Sequence, residues 1–444
     1  MLVNLKNFHT EKKKISSWNL THVQKACIIY PENLNELKNI IKIFNKSNKT
    51  FSIRTGECSY DSKSMSSGSD RLIISLKKFN KIININKKKK LISVEAGAKL
   101  SDIIYFLKKN NLTLYSVPGG EHITIGGAIA ANVIGKDSNK LYASFGDSIE
   151  YIKIISYDGK VKKINKSVKN FYKYIGSFGM FGIILEAKIK LKKIISNNLI
   201  VESKILENVK EVENELKKRD DYKYIQIDPF FRKKNFAIAF KGNYIKNLKN
   251  NYKKKNFTAN LAEISLFKIS SFFLNLILWR IFYKLFFLTN KNKKSCMDLH
   301  NFHYKSKYKH MVPLISKGGL LDYEILIERN FNHFFLKIKN FLLENNLAPI
   351  YIIIKKIYKS KKKFFYNFNK NGYSMAISFN VNSLNKIKKD KLELMLKESK
   401  LSLNLSKTDS QFIKKNKEIY SKKNKIFMSL YKNNLINKKY AISR

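Results

Sequence analysis

The run Pro118–Lys136, PGGEHITIGGAIAANVIGK, gathers Gly119, Gly120, Gly126, Gly127, Ala128, Ala130, Ala131 and Gly135, in a chain with only 17 glycines among 444 residues. Residues without bulk let a backbone come into direct contact with a ligand and let consecutive N–H groups converge on an anion. The run therefore reads as a cradle for a pyrophosphate. The alternative is a tightly packed helix start in an ordinary core.

Other chemistries find little support. Cys27, Cys58 and Cys296 lie far apart and in no metal-ligand spacing, and the seven histidines form no HExxH and no paired Cys/His set. Neither a disulfide framework nor a structural zinc is expected, and the default compartment is reducing. Gly176, Gly179 and Gly182 in GSFGMFG imitate a nucleotide fingerprint, but they precede a strand rather than a helix, so the motif fails its structural test. The net charge of +54 invites a nucleic-acid reading. Yet 80 lysines face 7 arginines and decorate every segment, whereas nucleic-acid surfaces favour clustered arginine. No nucleic-acid partner is expected, although such charge favours contact with an anionic membrane. The N-terminal run MLVNLKNFHTEKKKISSW lacks the apolar core of a signal peptide, which gives a cytoplasmic expectation.

The glycine run needs elements to hold it. NLNELKNIIKIFNKSN has apolar residues at helical spacing, followed by the short strand FSIRTG; RLIISLKKFNKIININ and KKLISVEAGA read as strand pieces, and KLSDIIYFLKKNN as a helix. IEYIKIISYDGKVKKI reads as a hairpin turning at Asp158-Gly159, and GMFGIILEAKIKLKKI as a closing strand. Hairpins mixed with helices, and no GxGxxG after the first strand, exclude a doubly wound sheet and predict an α+β fold.

Five motifs in order, IRTGECSYD, VEAGAKLSDII, VPGGEHITIGGAIAANVIGK, SFGDSIEYIKIISYDGKV and GSFGMFGIILEAKI, resemble the vanillyl-alcohol-oxidase-type, or PCMH-type, FAD-binding superfamily. Ser59-Tyr60 and GGAIAANVIGK…SFG make the narrower resemblance one to the decaprenylphosphoryl-ribose oxidase group of bacterial sugar oxidases. The likeness covers the chain to about residue 195, thins through the middle and returns at LSLNLSKTDS.

This resemblance implies FAD. Arg54, Thr55, Gly56, Glu57, Cys58, Ser59 and Tyr60 would form a loop offering backbone donors to the diphosphate, and Gly119, Gly120 and Thr124 a second wall. Gly126 and Gly127 would pack closely against the cofactor, Gly135 and Lys136 would lie near the isoalloxazine, and backbone groups of Gly182 and Ile183 would reach the adenine. For Arg54 the alternative is a surface charge, and for the glycines ordinary turn duty. Cys58 stands where many members carry the histidine that bonds the flavin, so the FAD is expected to be non-covalent. Ile134 replaces a histidine, Ala376 a cysteine and Asn404 the tyrosine beside the flavin. Lys407 matches a substrate-side lysine of the family, and Lys356 another.

By the same resemblance, the expected reaction is oxidation of a secondary alcohol of a sugar, free or polyprenyl-phosphate-linked, by hydride transfer to flavin N5. Lys407 would be the base and Tyr60 an alternative positioning or relay group. A short-chain reductase partner for epimerisation and a place in cell-envelope polysaccharide biosynthesis would follow. Aldonolactone, alditol or 2-hydroxy-acid oxidation is the alternative on this scaffold. A basic membrane-surface or nucleic-acid-binding protein with a degraded flavin fold is the alternative of another class.

The expected organisation is a PCMH-type FAD-binding domain at 1–195, a mixed α+β substrate domain at 196–401, and a segment at 402–444 returning to the FAD domain. Within the substrate domain, LFKISSFFLNLILWRIFYKLFFL (266–288) is too interrupted by Lys268, Arg280 and Lys284 to span a bilayer. It reads either as a buried core helix or as an interfacial helix presenting Phe272, Phe273, Leu274, Trp279 and Phe282 to a membrane.

Overall fold

A computed structural model of the chain describes residues 5, 7–66, 69–246, 272–304, 318–366, 368, 370–399, 401–404 and 406–408. Four strands open it: β1 (Thr10–Ser16), β2 (Val23–Ile29), β3 (Phe51–Ile53) and β4 (Leu72–Ile74), in the order β1-β2-β4-β3 with β2 and β3 both parallel to β4. Helix α1 (Leu34–Lys46) makes the crossover from β2. Its Leu37, Ile40, Ile41 and Phe44 recur at helical spacing and are buried, and Asn33 caps it by accepting from the Glu36 N–H.

A second, antiparallel sheet follows. After β5 (Ile82–Asn86) and β6 (Leu91–Glu95), the chain forms α2 (Leu100–Leu107), the short β7 (Leu112–Thr113) and α3 (Ile125–Ala130). It then adds β8 (Ile149–Ile155), β9 (Val161–Asn165) and β10 (Ile183–Lys190), giving the order β5-β6-β10-β8-β9. The β8–β9 hairpin turns where expected, with Gly159 at φ +84°. β7 pairs with β11 (Lys192–Lys193), and one core spans both sheets through Ile29, Phe44, Ile74, Ile92, Ile129 and Ile154.

Beyond residue 197 lies one eight-stranded antiparallel sheet. It contains β12 (Asn198–Leu206), β13 (Tyr222–Ile227), β14 (Ala237–Tyr244), β15 (Lys294–Asp298), β16 (Leu320–Ile327), β17 (Tyr351–Ile357), β18 (Gly372–Asn380) and β19 (Ser402–Leu403), in the order β15-β12-β14-β13-β17-β18-β16-β19. Its helices are α4 (Val209–Lys217), α5 (Phe272–Asn290), α6 (Leu299–His303), α7 (Phe331–Glu344) and α8 (Lys386–Glu398). Strand alternation separates the faces. Ile325, Ile352, Ile354, Met375 and Ile377 point into the core formed with α4, α7 and α8, which leaves Asp322, Glu324, Tyr351, Lys355, Ser374 and Ser378 on the other face. The architecture is α+β, with no doubly wound sheet among the described residues.

Part of that other face is covered by α5. Trp279, Tyr283 and Phe287 follow one another at i, i+4 and i+8 and are buried against Ile238, Phe240 and Leu320. The Trp279 indole and the Tyr283 hydroxyl both donate to the Ile350 carbonyl, at 2.9 and 3.0 Å. The segment thus divides along its length: one stripe is core, while Ile277, Ile281, Leu285 and Leu288 are 46–55% exposed. Trp279 does not belong to an outward face, because its N–H is needed to satisfy a buried carbonyl. Residues 266–271 and the side chains of Phe272, Phe273 and Leu274 lie outside what is described, as do residues 409–444. Among the described residues no helix is long and apolar enough to cross a membrane.

The division of α5 has a measurable consequence. Trp279→Ala should destabilise the protein by about 3–5 kcal/mol in denaturant titrations. Ile281→Ser should stay within about 0.5 kcal/mol. Equal effects would mean that the helix does not sit as described.

Candidate active site

A continuous cleft runs between the N-terminal sheets and the free face of the eight-stranded sheet. Its walls are the loop Arg54–Tyr60, the start of α3 at Thr124–Gly127, the turn Gly179–Ile184 and, at the far end, Glu324, Lys355, Asn404 and Lys407.

Each wall has a local cause. The Arg54 side chain turns inward, donating to the Ser64 hydroxyl (2.7 Å) and the Ser16 carbonyl (2.6 Å), and so ties the loop to β1 and to the turn that follows it. It is buried, which removes the surface-charge alternative. Thr55 Oγ1 accepts from the Leu76 N–H at 3.1 Å. Gly56 is obligatory, since a Cβ there would stand 2.2 Å from the His122 carbonyl oxygen. Thr124 caps α3, accepting from the Gly127 N–H.

The two glycines of α3 do different work. A Cβ on Gly126 would press on Ala96 at 3.1 Å, because the Gly126 N–H donates to the Ala96 carbonyl and holds the helix against the end of β6. A Cβ on Gly127 would meet only its own cap, Thr124 Oγ1, at 3.4 Å, and otherwise enter the cleft. Gly179, at φ +83°, faces similar open space.

The far end is strongly polar. Strand register stacks three rows across β16, β18 and β17: Asp322–Ser378–Tyr351, Glu324–Ala376–Ile353 and Leu326–Ser374–Lys355. Glu324, only 2% exposed, accepts from the Ser374 hydroxyl, from Asn404 Nδ2 at 2.6 Å and from Lys407 Nζ at 3.1 Å, with Lys355 Nζ 3.8 Å away. Burial alone would raise its carboxyl, but the Lys407 and Lys355 charges and these hydrogen bonds outweigh it and hold the group at about 2. Burial brings Lys355 down to about 8 against the pull of Glu324, and its amine also donates to the Ile134 carbonyl at 3.0 Å. Tyr60 closes this end, its ring tilted against Trp18 with centroids 4.9 Å apart. Burial, reinforced by Asp322 and Glu324, pushes its phenol well above the ordinary value.

Comparison with known proteins identifies the cofactor of the N-terminal region. Residues 25–165 match the family described as FAD binding domain. Residues 25–165 form an FAD-binding domain. The chain is 28% identical over 123 residues to decaprenylphosphoryl-β-D-ribose oxidase of Mycolicibacterium smegmatis, covering 27% of this chain and 26% of that protein. It is 30% identical over 127 residues to D-lactate dehydrogenase of Anaerostipes hadrus, covering 27% and 26%, and 23% identical over 201 residues to L-gulonolactone oxidase of Mus musculus, covering 44% of each. These matches therefore span between a quarter and less than half of the relatives' own length. Among solved structures, cholesterol oxidase from B. sterolicum superposes with a TM-score of 0.72 at 10% identity, over 91% of this chain and 87% of that one, which establishes a shared fold.

The cleft suits FAD. Its floor is open where Gly127 and Gly179 lack side chains, and it extends from the FAD-binding domain to a polar end on the eight-stranded sheet. Arg54, Thr55, Gly56, Glu57, Cys58, Ser59, Tyr60, Thr124, Gly126, Gly127, Gly182, Ile183, Asn404 and Lys407 all line it.

Five expected residues do not. Gly119 and Gly120 turn away beside His303 and Ile123, and Gly135 packs against Ser116 and Val117, where a Cβ would stand 2.4 Å from backbone. The Lys136 amine lies over the Tyr224 and Phe302 rings, at 4.8 and 5.3 Å from their centroids. Lys356 lies over Tyr358 instead, because strand alternation sends Lys355 to the cleft. Sequence reasoning missed Lys355 and Glu324. The available signal was LLDYEILI, an apolar strand with two carboxylates at i and i+2.

Because Gly127, unlike Gly126, presents open space to the cleft, Gly127→Val should fold normally yet purify with much less FAD. Gly126→Val should cost about 1–3 kcal/mol of stability by overpacking. Flavin absorbance per protein and thermal melts separate the two effects. Full flavin occupancy in a folded Gly127→Val protein would remove Gly127 from the cradle.

Proposed function

We propose that the chain is an FAD-dependent oxidoreductase that oxidises a secondary alcohol of a polyhydroxylated, sugar-like substrate. The observation that carries this reading is the cluster of Glu324, Lys355, Lys407 and Asn404, with Tyr60 beside it, at the end of the FAD cleft. Charged donors and acceptors at such density suit several hydroxyl groups at once. They do not suit an apolar sterol, despite the shared fold.

The bound FAD would supply the oxidising chemistry by taking the carbinol hydrogen with its electron pair. The loop Arg54–Tyr60 and the start of α3 would hold the diphosphate, Gly182 and Ile183 the adenine end, and Asn404 the flavin end. Lys407 and Lys355 would orient the substrate hydroxyl by donating to it, while Glu324 balances their charge. Cys58 is committed locally, its thiol donating to the Gly56 carbonyl at 3.2 Å. FAD is then held without a covalent bond and should be released by acid precipitation.

A second reading, oxidation of a 2-hydroxy acid, is favoured by the two amines facing a single carboxylate, since the surplus cation would pair with a substrate carboxylate. Anaerobic bleaching of the bound flavin tests both readings. Polyprenyl-phosphate sugars, free alditols, aldonolactones and 2-hydroxy acids form the panel, with cholesterol as the control. Bleaching by a sugar or alditol is the expected result. Bleaching only by hydroxy acids selects the second reading, and bleaching only by cholesterol overturns both.

A lipid-linked form of the substrate would need a protein that reaches a membrane surface. The exposed stripe Ile277, Ile281, Leu285 and Leu288 beside Arg280 and Lys284 supports a peripheral contact, each cation adding about 1 kcal/mol near anionic lipid. Sedimentation with phosphatidylserine vesicles should carry down the wild type at low salt and fail with Ile281→Ser plus Leu285→Ser. Equal sedimentation of the two proteins would leave charge alone as the cause.

A further inference from the structure

We propose that Asp322 accepts the proton released from the substrate hydroxyl, and that the proton reaches it from the cleft through Tyr60 and Tyr351. The inference rests on the alcohol-oxidation reading above and adds the destination of the proton.

The geometry lies on both sides of Tyr351. Its hydroxyl donates to Asp322 Oδ1 at 2.9 Å, and strand register sets the two residues on either side of Ser378 in one row of the sheet. On the other side, the Tyr351 side chain adjoins the Tyr60 phenol and acts on its ionisation, and Tyr60 lines the cleft. Asp322 itself is buried beside the Ser378 hydroxyl of its row, and among the described residues its Oδ2 accepts no hydrogen bond within range.

The other carboxylate of the strand has no such capacity. Glu324 is already engaged by Ser374, Asn404, Lys407 and Lys355, and it stays ionised to about pH 2. Asp322 is raised by burial to about 6, against the Tyr351 hydrogen bond and the charges of Lys407 and Lys63. Two neighbouring carboxyls with well-separated affinities divide the work, one holding charge and the other exchanging a proton. The groups facing Asp322 are Tyr351, Tyr60, Glu324, Lys407 and Lys63.

The step balances. The alcohol carbon loses its hydrogen and an electron pair to FAD, the oxidant of the proposed reaction, and becomes a carbonyl. The hydroxyl proton bonds to the Tyr60 oxygen as the Tyr60 proton moves to Tyr351 and the Tyr351 proton moves to Asp322 Oδ1. The carboxylate becomes a neutral acid. The phenols relay and never ionise, consistent with burial raising both well above their ordinary values.

Two measurements on the FAD-loaded protein test this. The first needs no substrate: the carboxylic C=O infrared band absent from Asp322→Asn should titrate near pH 6 and move upward in Tyr351→Phe. A midpoint unmoved by Tyr351→Phe overturns the connection. The second is anaerobic flavin reduction by whichever panel compound bleaches it. The rate should rise with pH through about 6, and both Asp322→Asn and Tyr351→Phe should lose this rise and fall on the order of 10²-fold. A rise centred near 8 that survives in Asp322→Asn and disappears in Lys355→Met makes Lys355 the acceptor and overturns the proposal. If no compound bleaches the flavin, the alcohol-oxidation reading falls and takes the acceptor role with it. The infrared result then still decides whether Tyr351 and Asp322 are connected.

Discussion

The structure turns on the burial of one carboxylate. An ionised group placed as deeply as Glu324 is tolerated only where opposite charge and donors surround it. Its partners come from separate parts of the chain: Ser374 from β18, Lys355 from β17, and Asn404 and Lys407 from the segment after β19. The backbone joins in, with the Asn404 N–H donating to the Glu324 carbonyl at 2.7 Å. Lys355 then reaches the Ile134 carbonyl of the FAD-binding domain. Satisfying one buried charge thus fixes the C-terminal strand, the floor of the cleft and one point of contact between the domains.

The second constraint is close approach of backbone. α3 lies against the end of β6 because Gly126 has no side chain, and this contact turns Gly127 toward the cofactor. The Arg54 guanidinium anchors the facing loop from behind, leaving the loop backbone along the cleft. One side of the cleft is therefore nearly free of bulk and the other end is crowded with charge. That asymmetry matches a long cofactor whose diphosphate needs backbone contact and whose reactive end needs polar side chains.

Much of the fold was legible because its signals are local. The apolar spacing of α1, the Asp158-Gly159 turn and the glycine-rich run each act within a dozen residues, and the five ordered motifs identify the cofactor domain. Roles within those motifs were less legible. The run 118–136 divides several ways: Gly119 turns toward α6, Gly120 meets Ile123, Gly126 and Gly127 form the start of α3, and Gly135 packs on Ser116 and Val117. No spacing rule distinguishes a glycine that faces a ligand from one that faces a neighbouring backbone.

By itself, the sequence determined the α+β class, the FAD-binding domain and the amphipathic ambiguity of the segment that became α5. These follow from composition, periodicity and contiguous motifs, which are properties of neighbours along the chain. Only the tertiary structure decided that Lys355 rather than Lys356 enters the cleft, that Trp279 is core while Ile281 is surface, and that Glu324 stands between two amines. Each of these depends on the phase of a strand or helix against elements far away in sequence. Phase is set by what can be buried on the opposite face, and that is known only once the sheet has its neighbours.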